Sequence, residues 1–256
     1  MRRLNVLSAM LLGLAVCLPA SARADEDMSC PVERSPPLVL PHLRQAVAKN
    51  EEVTIISMGS SSTAGFHASD IAHTYPAVLQ RELERALPSS HIAVLNRGIG
   101  GQDATEELAR LERDALSPAP SLVIWQVGAN GAMKNADPEV FKRLVATGVK
   151  RLLAAGTDVV LMDNQRAPAI LASPEHAVIE QALADIAVKA GVGLFGRGLL
   201  MDEWKRDGFP YGLFVSEDGV HHNDRGYSCI AKALASAILT GIGTDGPAKL
   251  VASNHH

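Results

Sequence analysis

Three consecutive serines follow a short apolar segment and supply the first group in this sequence that could act as a nucleophile. The apolar, β-branched residues of positions 53–58 end at Gly59, the hydroxyl residues follow, and Gly65 closes the segment. Such a run is typical of a buried strand, and glycine permits the tight turn that ends it. In open α/β sheets, ligands and reacting groups lie at the carboxyl ends of strands. The segment therefore predicts a strand that delivers a serine hydroxyl to the edge of a sheet.

Asp218 and His221 are the pair that could activate such a serine. A serine hydroxyl is a weak nucleophile and needs a base beside it. A histidine serves as that base when a carboxylate holds its tautomer and stabilises the imidazolium. Asp218 and His221 are close in sequence, so the carboxylate can reach the imidazole from the same loop. His222 and Glu217 are the neighbouring alternatives for the base and the carboxylate.

Four polar clusters lie at predicted strand ends or late in the chain, and their order is more specific than any one of them. They are Gly59-Ser60-Ser61, Asn96 with Gly98 to Gly101, Gly128-Ala129-Asn130, and Asp218-Gly219-Val220-His221. Together they resemble the four blocks of the SGNH/GDSL hydrolases, whose name cites the Ser, Gly, Asn and His of those blocks. The resemblance runs from Val53 to the last predicted helix. It implies a GDSL-like serine esterase or lipase, which acts on ester bonds.

The resemblance assigns the catalytic triad to individual residues. Ser61 is the nucleophile it implies, because the family places one residue between the first-block glycine and its serine. Ser60 and Ser62 are the adjacent hydroxyls that a shifted register would select instead. The Asp-x-x-His spacing of the fourth block assigns the base to His221 and the carboxylate to Asp218.

The resemblance also implies an oxyanion hole, and it exposes two departures from the family pattern. The donors it implies are the backbone N–H groups of Ser61 and Gly101 and the side-chain amide of Asn130; taken in isolation, that amide would only bond its own turn. Ser60 stands where the family usually has an aspartate that braces the nucleophile loop. Gly131 stands where an aspartate often follows the third-block asparagine. We therefore expect a less negative pocket and a different brace for the loop.

Four polar residues outside the triad and oxyanion hole are candidates for substrate binding. Asp163, Gln165 and Arg166 follow the fourth predicted strand at the same edge of the sheet. The alternative for these three is an ordinary polar loop. His222 is predicted to lie at the rim of the site, in contact with substrate or solvent.

Other function classes are less consistent with the sequence. Adjacent His221 and His222 on an extended loop would point apart, so we predict no metal site, and we predict no other cofactor. The formal net charge is −4 and the basic residues do not cluster, so no nucleic-acid partner is expected. No segment after the first 24 residues is long enough to cross a bilayer, so no stable membrane anchor is expected.

Strands alternate with helices along the chain. The apolar runs predict strands over 53–58, 91–95, 121–127, 158–162 and 192–195, with helices between them. This alternation requires crossover connections and a parallel sheet that is covered on both faces. The predicted fold class is α/β, a flavodoxin-like three-layer α/β/α sandwich with a central parallel five-stranded sheet.

The ends of the chain differ in composition from its centre. Residues 1–24 combine a basic start, an apolar run and an Ala-x-Ala sequence, which predicts a secretory signal peptide. Residues 25–50 are predicted to form an arm and a short helix, 51–242 the SGNH hydrolase domain, and 243–256 a disordered tail. We therefore expect an exported protein, periplasmic or secreted.

Two cysteines remain after the predicted signal peptide, Cys30 and Cys229. An oxidising compartment permits a disulfide between them, which would tie the arm to the last helix. The alternative is that Cys229 is a buried small residue on that helix. The pairing is left open by the sequence.

The predicted function is an exported serine hydrolase that cleaves short acyl esters of the acetyl type on carbohydrate or lipid. Its expected partner is a small-molecule or polysaccharide ester, and its oligomeric state is left open. One alternative is an acyltransferase that acts on a secreted polysaccharide with the same triad. The other is a non-catalytic carbohydrate-binding protein on the same fold.

Overall fold

The computed structural model describes residues 29–32 and 35–244. The predicted signal peptide, 1–24, lies outside this range, as does the predicted tail from residue 245 onward. Residues 35–244 contain all of the elements that position the site. Among their helices, none is both long and apolar enough to cross a membrane.

Five parallel strands form one sheet. They are β1 (Val53–Gly59), β2 (Ile92–Gly98), β3 (Leu122–Gln126), β4 (Asp158–Met162) and β5 (Gly193–Phe195). Their order is β2-β1-β3-β4-β5, and every neighbouring pair is parallel. The predicted five-stranded parallel sheet is thus confirmed. In this order the direction of winding reverses between β1 and β3, and the carboxyl ends of these two strands flank the crevice where such folds hold their ligands.

Helices cover both faces of the sheet. They are α1 (Pro41–Ala48), α2 (Ser61–Ala64), α3 (Tyr75–Ala86), α4 (Ala104–Ala109), α5 (Ala129–Met133), α6 (Pro138–Ala154), α7 (Pro168–Leu171), α8 (His176–Ala190), α9 (Arg197–Arg206) and α10 (Asp224–Gly241). One apolar cluster joins α1, α3, α9 and α10 to the sheet, and a second joins α4, α6 and α8 to the opposite face. In β1, Ile55 belongs to the first cluster and Ile56 to the second, as the two-residue period of a strand requires. The three-layer sandwich is confirmed.

Two predicted elements have different limits in the structure. Strand β2 continues to Gly98 instead of ending at residue 95, because it pairs with β1 along its whole length, as far as Gly59. The predicted helix between the second and third strands ends at Ala109, and a π-helical turn follows at Glu112–Leu116. The capping box of Asp103 and Glu106 defines the start of this helix.

A disulfide joins the N-terminal arm to α10. Cys30 is bonded to Cys229, with 5.3 Å between their Cα atoms. Further along the arm, Leu38 and Leu40 are buried in the first apolar cluster. The arm is therefore part of the packed structure, and the pairing that the sequence left open is resolved in favour of the disulfide.

Candidate active site

Ser61, His221 and Asp218 form a continuous hydrogen-bonded chain. Ser61 is the first residue of α2, directly after β1. Its Oγ lies 2.7 Å from His221 Nε2, and His221 Nδ1 lies 2.5 Å from Asp218 Oδ2. With Nδ1–H donating to the carboxylate, Nε2 is free to accept the serine proton. The structure thus brings together the three residues that the sequence predicts as a triad.

The loop that carries Asp218 is organised around its carboxylate. Oδ1 accepts hydrogen bonds from the backbone N–H groups of Val220 and His221, at 2.9 and 3.0 Å, and from the Ser216 hydroxyl. Partial burial acts to raise the pKa of the Asp218 carboxyl, but the bonds from Ser216, His221 and Val220 outweigh it and hold that pKa well below its ordinary value. Asp218 is therefore a carboxylate in any buffer near neutrality.

Gln126, at the end of β3, braces the nucleophile loop. Its Oε1 accepts from the Ser60 N–H at 3.1 Å, the Ser60 hydroxyl at 3.3 Å and the Thr63 hydroxyl at 3.1 Å. A Cβ at Gly59 would come within 2.8 Å of this oxygen, so glycine allows the approach. The neutral side-chain carbonyl of Gln126 therefore accepts three hydrogen bonds from the nucleophile loop, in which Ser60 stands in place of the family's usual acid.

Arg110 holds together the carboxyl ends of β1 and β2. Its guanidinium donates to the carbonyl oxygens of Gly59 and Arg97 at 2.9 and 2.8 Å. It also donates to Gln102 Oε1 at 2.6 Å and to Asp114 at 2.9 Å. The side chain is almost fully buried. One cation thus fixes the strand end before Ser61 and the loop that carries Gly101.

The three predicted oxyanion donors lie on three neighbouring segments. The Ser61 N–H opens α2, where a helix leaves its first N–H groups without intrahelical acceptors. Gly101 has φ of +78°, a conformation that favours glycine. Asn130, in α5, donates from Nδ2 to the Gln102 carbonyl at 2.8 Å. The amide is therefore tied to the loop of Gly101 and not to its own turn.

The prediction that Asp163, Gln165 and Arg166 contact the substrate is corrected by their burial. Asp163 Oδ1 accepts from the Gly198 N–H at 2.9 Å, and burial raises the pKa of its carboxyl to about 7. Arg166 forms ion pairs with Glu180 and Asp202. All three residues have at most 7% of their surface exposed.

Gln165 nevertheless supports the site through two hydrogen bonds of its side chain. Its Nε2 donates to the Val220 carbonyl at 2.7 Å and to the Ser62 hydroxyl at 3.2 Å. It therefore links the loop of the histidine to the helix of the nucleophile. A polar run after a strand has the same appearance in sequence whether it faces solvent or, as here, the protein interior.

His222 is also buried, which corrects its predicted place at the rim. It has no exposed surface, and its Nδ1 lies 2.9 Å from the Phe214 carbonyl. Its ring packs edge-on against Tyr227. Burial lowers the pKa of the imidazole to about 3, so the ring is neutral and donates through Nδ1–H. His222 is a core residue beneath the histidine of the triad.

Two rings that follow the nucleophile helix flank His221. The centroids of the Phe66 and His67 rings lie 5.6 and 5.5 Å from that of His221. His67 Nε2 lies 3.2 Å from Asp218 Oδ2, and its backbone has φ of +64°. The sequence around these two positions has no periodicity that would assign either ring to the site.

In the described part of the chain, His67, Asp218 and His221 are the group whose ligand atoms could converge on a metal ion. These atoms lie within 4.8 Å of one another. Two of the three residues belong to the hydrogen-bonded chain that ends at Ser61. The fully buried His222 is not a member of this group.

Residues 30–244 match the model of the Non-GDSL lipase-like family. No curated protein matches the chain.

Three solved structures are similar in fold. A two-domain esterase (CEX) active on acetylated mannans aligns with a TM-score of 0.70 at 20% identity, covering 83% of this chain and 56% of that one. This chain thus spans a little over half the length of that protein. Axe2, an acetylxylan esterase from Geobacillus stearothermophilus, aligns with 0.61 at 18% identity, covering 75% and 95%. A lipase/acylhydrolase from Enterococcus faecalis aligns with 0.62 at 19% identity, covering 72% and 93%.

Proposed function

The chain belongs to the Non-GDSL lipase-like family, and we propose that it hydrolyses short acyl esters through an acyl-enzyme on Ser61. The observation that carries the proposal is the chain of contacts from Ser61 Oγ through His221 to Asp218, at 2.7 and 2.5 Å. A binding protein would have no use for this arrangement, because it serves to remove a proton from the serine.

Acylation forms one bond and breaks another at the same carbon. Ser61 Oγ attacks the ester carbonyl carbon while His221 Nε2 takes the hydroxyl proton. The tetrahedral intermediate then collapses, and the alcohol leaves with the proton that His221 carried. Asp218 stabilises the imidazolium and remains ionised throughout, in keeping with its lowered pKa. Water then attacks the acyl-enzyme while His221 takes its proton, and collapse of the second intermediate releases the carboxylic acid and restores the Ser61 hydroxyl.

The oxyanion of each intermediate is stabilised by fixed donors. We assign these to the Ser61 and Gly101 N–H groups and the Asn130 amide. Removing one such donor costs roughly 3–4 kcal/mol of transition-state stabilisation in hydrolases of this mechanism. The hydrogen bond from Asn130 to the Gln102 carbonyl fixes the amide before substrate arrives, which is the preorganisation that this effect requires.

For the substrate, we propose an acetyl-type ester on carbohydrate, met outside the cytoplasm. Two of the similar structures are esterases described as active on acetylated mannans and on acetylxylan. The disulfide between Cys30 and Cys229 supports an oxidising compartment, periplasmic or external, where polysaccharides are found. The same chemistry would transfer the acyl group if a sugar hydroxyl replaced water.

Hydrolysis of 4-nitrophenyl acetate tests the proposal. Ser61→Ala should lower kcat/KM by roughly 10³-fold or more while the circular dichroism spectrum is unchanged. Ser62→Ala is the matched control, because Ser62 contacts Gln165 and not His221. Absence of hydrolysis by the wild type, or full activity in Ser61→Ala, would refute the proposal. Product analysis with added sugar separates hydrolysis from transfer.

A further inference from the structure

Phe66 is an exposed aromatic ring beside the reacting groups. About half of its surface, 51%, is open to solvent. Its ring lies against that of His221, with 5.6 Å between centroids, and also against Gly100, where an added Cβ would approach the ring to 2.9 Å. The ring therefore extends from the proposed base to the loop of the proposed oxyanion donor Gly101.

The backbone holds this ring in place although it is exposed. The Phe66 N–H donates to the Ser61 carbonyl at 3.0 Å. The Tyr227 hydroxyl, from α10, donates to the Phe66 carbonyl at 2.7 Å. These bonds fix the backbone, and the contacts with His221 and Gly100 limit rotation of the ring, so it loses little conformational freedom when a ligand covers it, which favours binding. Large exposed apolar groups beside a reacting centre are typical of ligand contacts.

The side of the site on which Phe66 lies follows from the mechanism. His221 Nε2 must hand its proton to the departing alcohol oxygen, so the alcohol part of the ester lies beside the imidazole. Phe66 is in contact with that imidazole. A ligand group that covers the alcohol side of the site must therefore meet the Phe66 ring.

We propose that Phe66 determines specificity for the alcohol part of the ester, as a platform on which the C–H face of a pyranose ring stacks. This inference rests on the proposed ester hydrolysis. Polar groups border the platform, among them His67 and Asp218, whose side chains are 39% and 24% exposed. An apolar face with a polar border matches a sugar, which has a C–H face and a border of hydroxyls. A long alkyl chain would match the ring and not the border.

Two esters with the same acyl group separate the alcohol contribution from the chemistry. An acetylated methyl xyloside presents a pyranose, and ethyl acetate presents no ring. Phe66→Leu should raise KM for the acetylated xyloside about tenfold, the usual scale for one aromatic contact, and leave kcat for both esters and KM for ethyl acetate within about twofold. Phe66→Trp should restore KM for the xyloside, because it restores a flat ring.

Three results would overturn the inference. Equal losses on both esters would mean that Phe66 only supports His221. A loss of kcat/KM in Phe66→Leu that is larger for 4-nitrophenyl butyrate than for 4-nitrophenyl acetate would place the ring on the acyl side. Hydrolysis of ethyl acetate without any action on the xyloside would likewise overturn it and leave the proposed function standing.

A binding measurement keeps the two proposals distinguishable. Titration calorimetry of the acetylated xyloside into Ser61→Ala should give a Kd that rises about tenfold when Phe66→Leu is added. This readout needs no turnover. If the wild type hydrolyses no ester, the proposed function fails, and the Kd ratio alone decides whether the platform exists; an unchanged Kd would refute it.

Discussion

At the scale of single residues, the support of the nucleophile loop is the feature that distinguishes this chain from the usual family pattern. Ser60 lacks the two carboxylate oxygens with which an aspartate would accept hydrogen bonds at that position. Gln126 does so from the next strand, through one oxygen with three donors. The name of the matched family agrees with this departure, since the first block here is Gly-Ser-Ser and not Gly-Asp-Ser.

We predict that Gln126→Leu weakens both folding and turnover. It leaves the Ser60 N–H buried without its acceptor and the Thr63 hydroxyl with only its 3.4 Å contact to the Tyr75 hydroxyl, which should reduce the free energy of unfolding by roughly 2–4 kcal/mol. Urea denaturation measures this, and kcat should fall with it. Ser60→Ala keeps the two other bonds and should cost less than about 1 kcal/mol. Equal effects of the two substitutions would contradict the role given to Gln126.

The triad could be predicted from sequence, but its supporting residues could not. Ser61, Asp218 and His221 lie in short motifs whose spacing carries chemical meaning. Gln126 and Arg110 act through long side chains on segments far from those motifs, and no spacing signals them. Asp163, Gln165 and Arg166 are buried, which their polarity alone does not reveal.

At the scale of elements, the carboxyl ends of β1 and β2 are joined by one side chain, that of Arg110, directly after α4. Arg110 donates to the carbonyl oxygens of Gly59 and Arg97, one on each strand. Its bond to the Gln102 side chain extends this support to the loop of Gly101. The geometry of the nucleophile and of the oxyanion donors therefore depends on a common brace.

We predict that Arg110→Lys lowers kcat by at least tenfold with little change in KM. An ammonium cannot donate to all of these acceptors at once, so the donors would shift, and small displacements of this kind are costly in rate. Steady-state kinetics on 4-nitrophenyl acetate measures the effect. Arg113→Lys is the control, since the exposed Arg113 pairs only with Asp114 in this region. Equal kinetics for both variants would contradict the prediction.

Helix α4 is also tied to β3 by a buried carboxyl. Glu107 Oε2 accepts from Trp125 Nε1 at 2.7 Å. Burial raises the pKa of the Glu107 carboxyl to about 8, against the opposing effects of the Trp125 hydrogen bond and the Arg110 charge. The folded protein therefore binds this proton more tightly than the unfolded chain does. The contribution of this proton to the stability of the fold is present below about pH 4.5 and is lost as the pH rises through 8.

We predict that Glu107→Gln removes this pH dependence. Between pH 5 and 9, the wild type should lose on the order of 4 kcal/mol of unfolding free energy relative to the variant. Urea denaturation at the two pH values measures the difference. The exposed Glu52→Gln is the control and should follow the wild type. Parallel pH profiles for Glu107→Gln and the wild type would refute the assignment.

The elements themselves were largely predictable, and their limits were less so. Apolar runs located all five strands, because a sheet covered on both faces needs continuous apolar sequence. Strand β2 runs on through Asn96 and Arg97, which are not apolar, since its length is set by pairing with β1. The helices α2, α5 and α7 are too short to produce a periodic pattern.

At the scale of the whole molecule, the disulfide closes the chain from the N-terminal arm to the last helix. The two cysteines are 199 positions apart, so the bond restricts almost the whole unfolded chain. The chain-entropy model gives about 5 kcal/mol for a loop of this length. The cysteine pair is also the structural feature that agrees with the proposed export.

We predict that Cys30→Ala combined with Cys229→Ala lowers Tm by about 5–15 °C and leaves activity at 25 °C unchanged. The bond lies outside the hydrogen-bonded chain of the site. Calorimetry with and without dithiothreitol measures the effect, because reductant should lower Tm of the wild type and not of the double variant. An unchanged Tm in the double variant would contradict the stabilising role.

Covalent labelling of Ser61 is the measurement that tests the central claim most directly. A fluorophosphonate reacts with a serine whose proton a histidine removes, and it forms a P–O bond as fluoride leaves. Mass spectrometry of the digested protein should find one adduct, on Ser61, in the wild type, Ser60→Ala and Ser62→Ala, and none in Ser61→Ala or His221→Ala. An adduct on another residue, or loss of ester hydrolysis while Ser61 stays unmodified, would contradict the account.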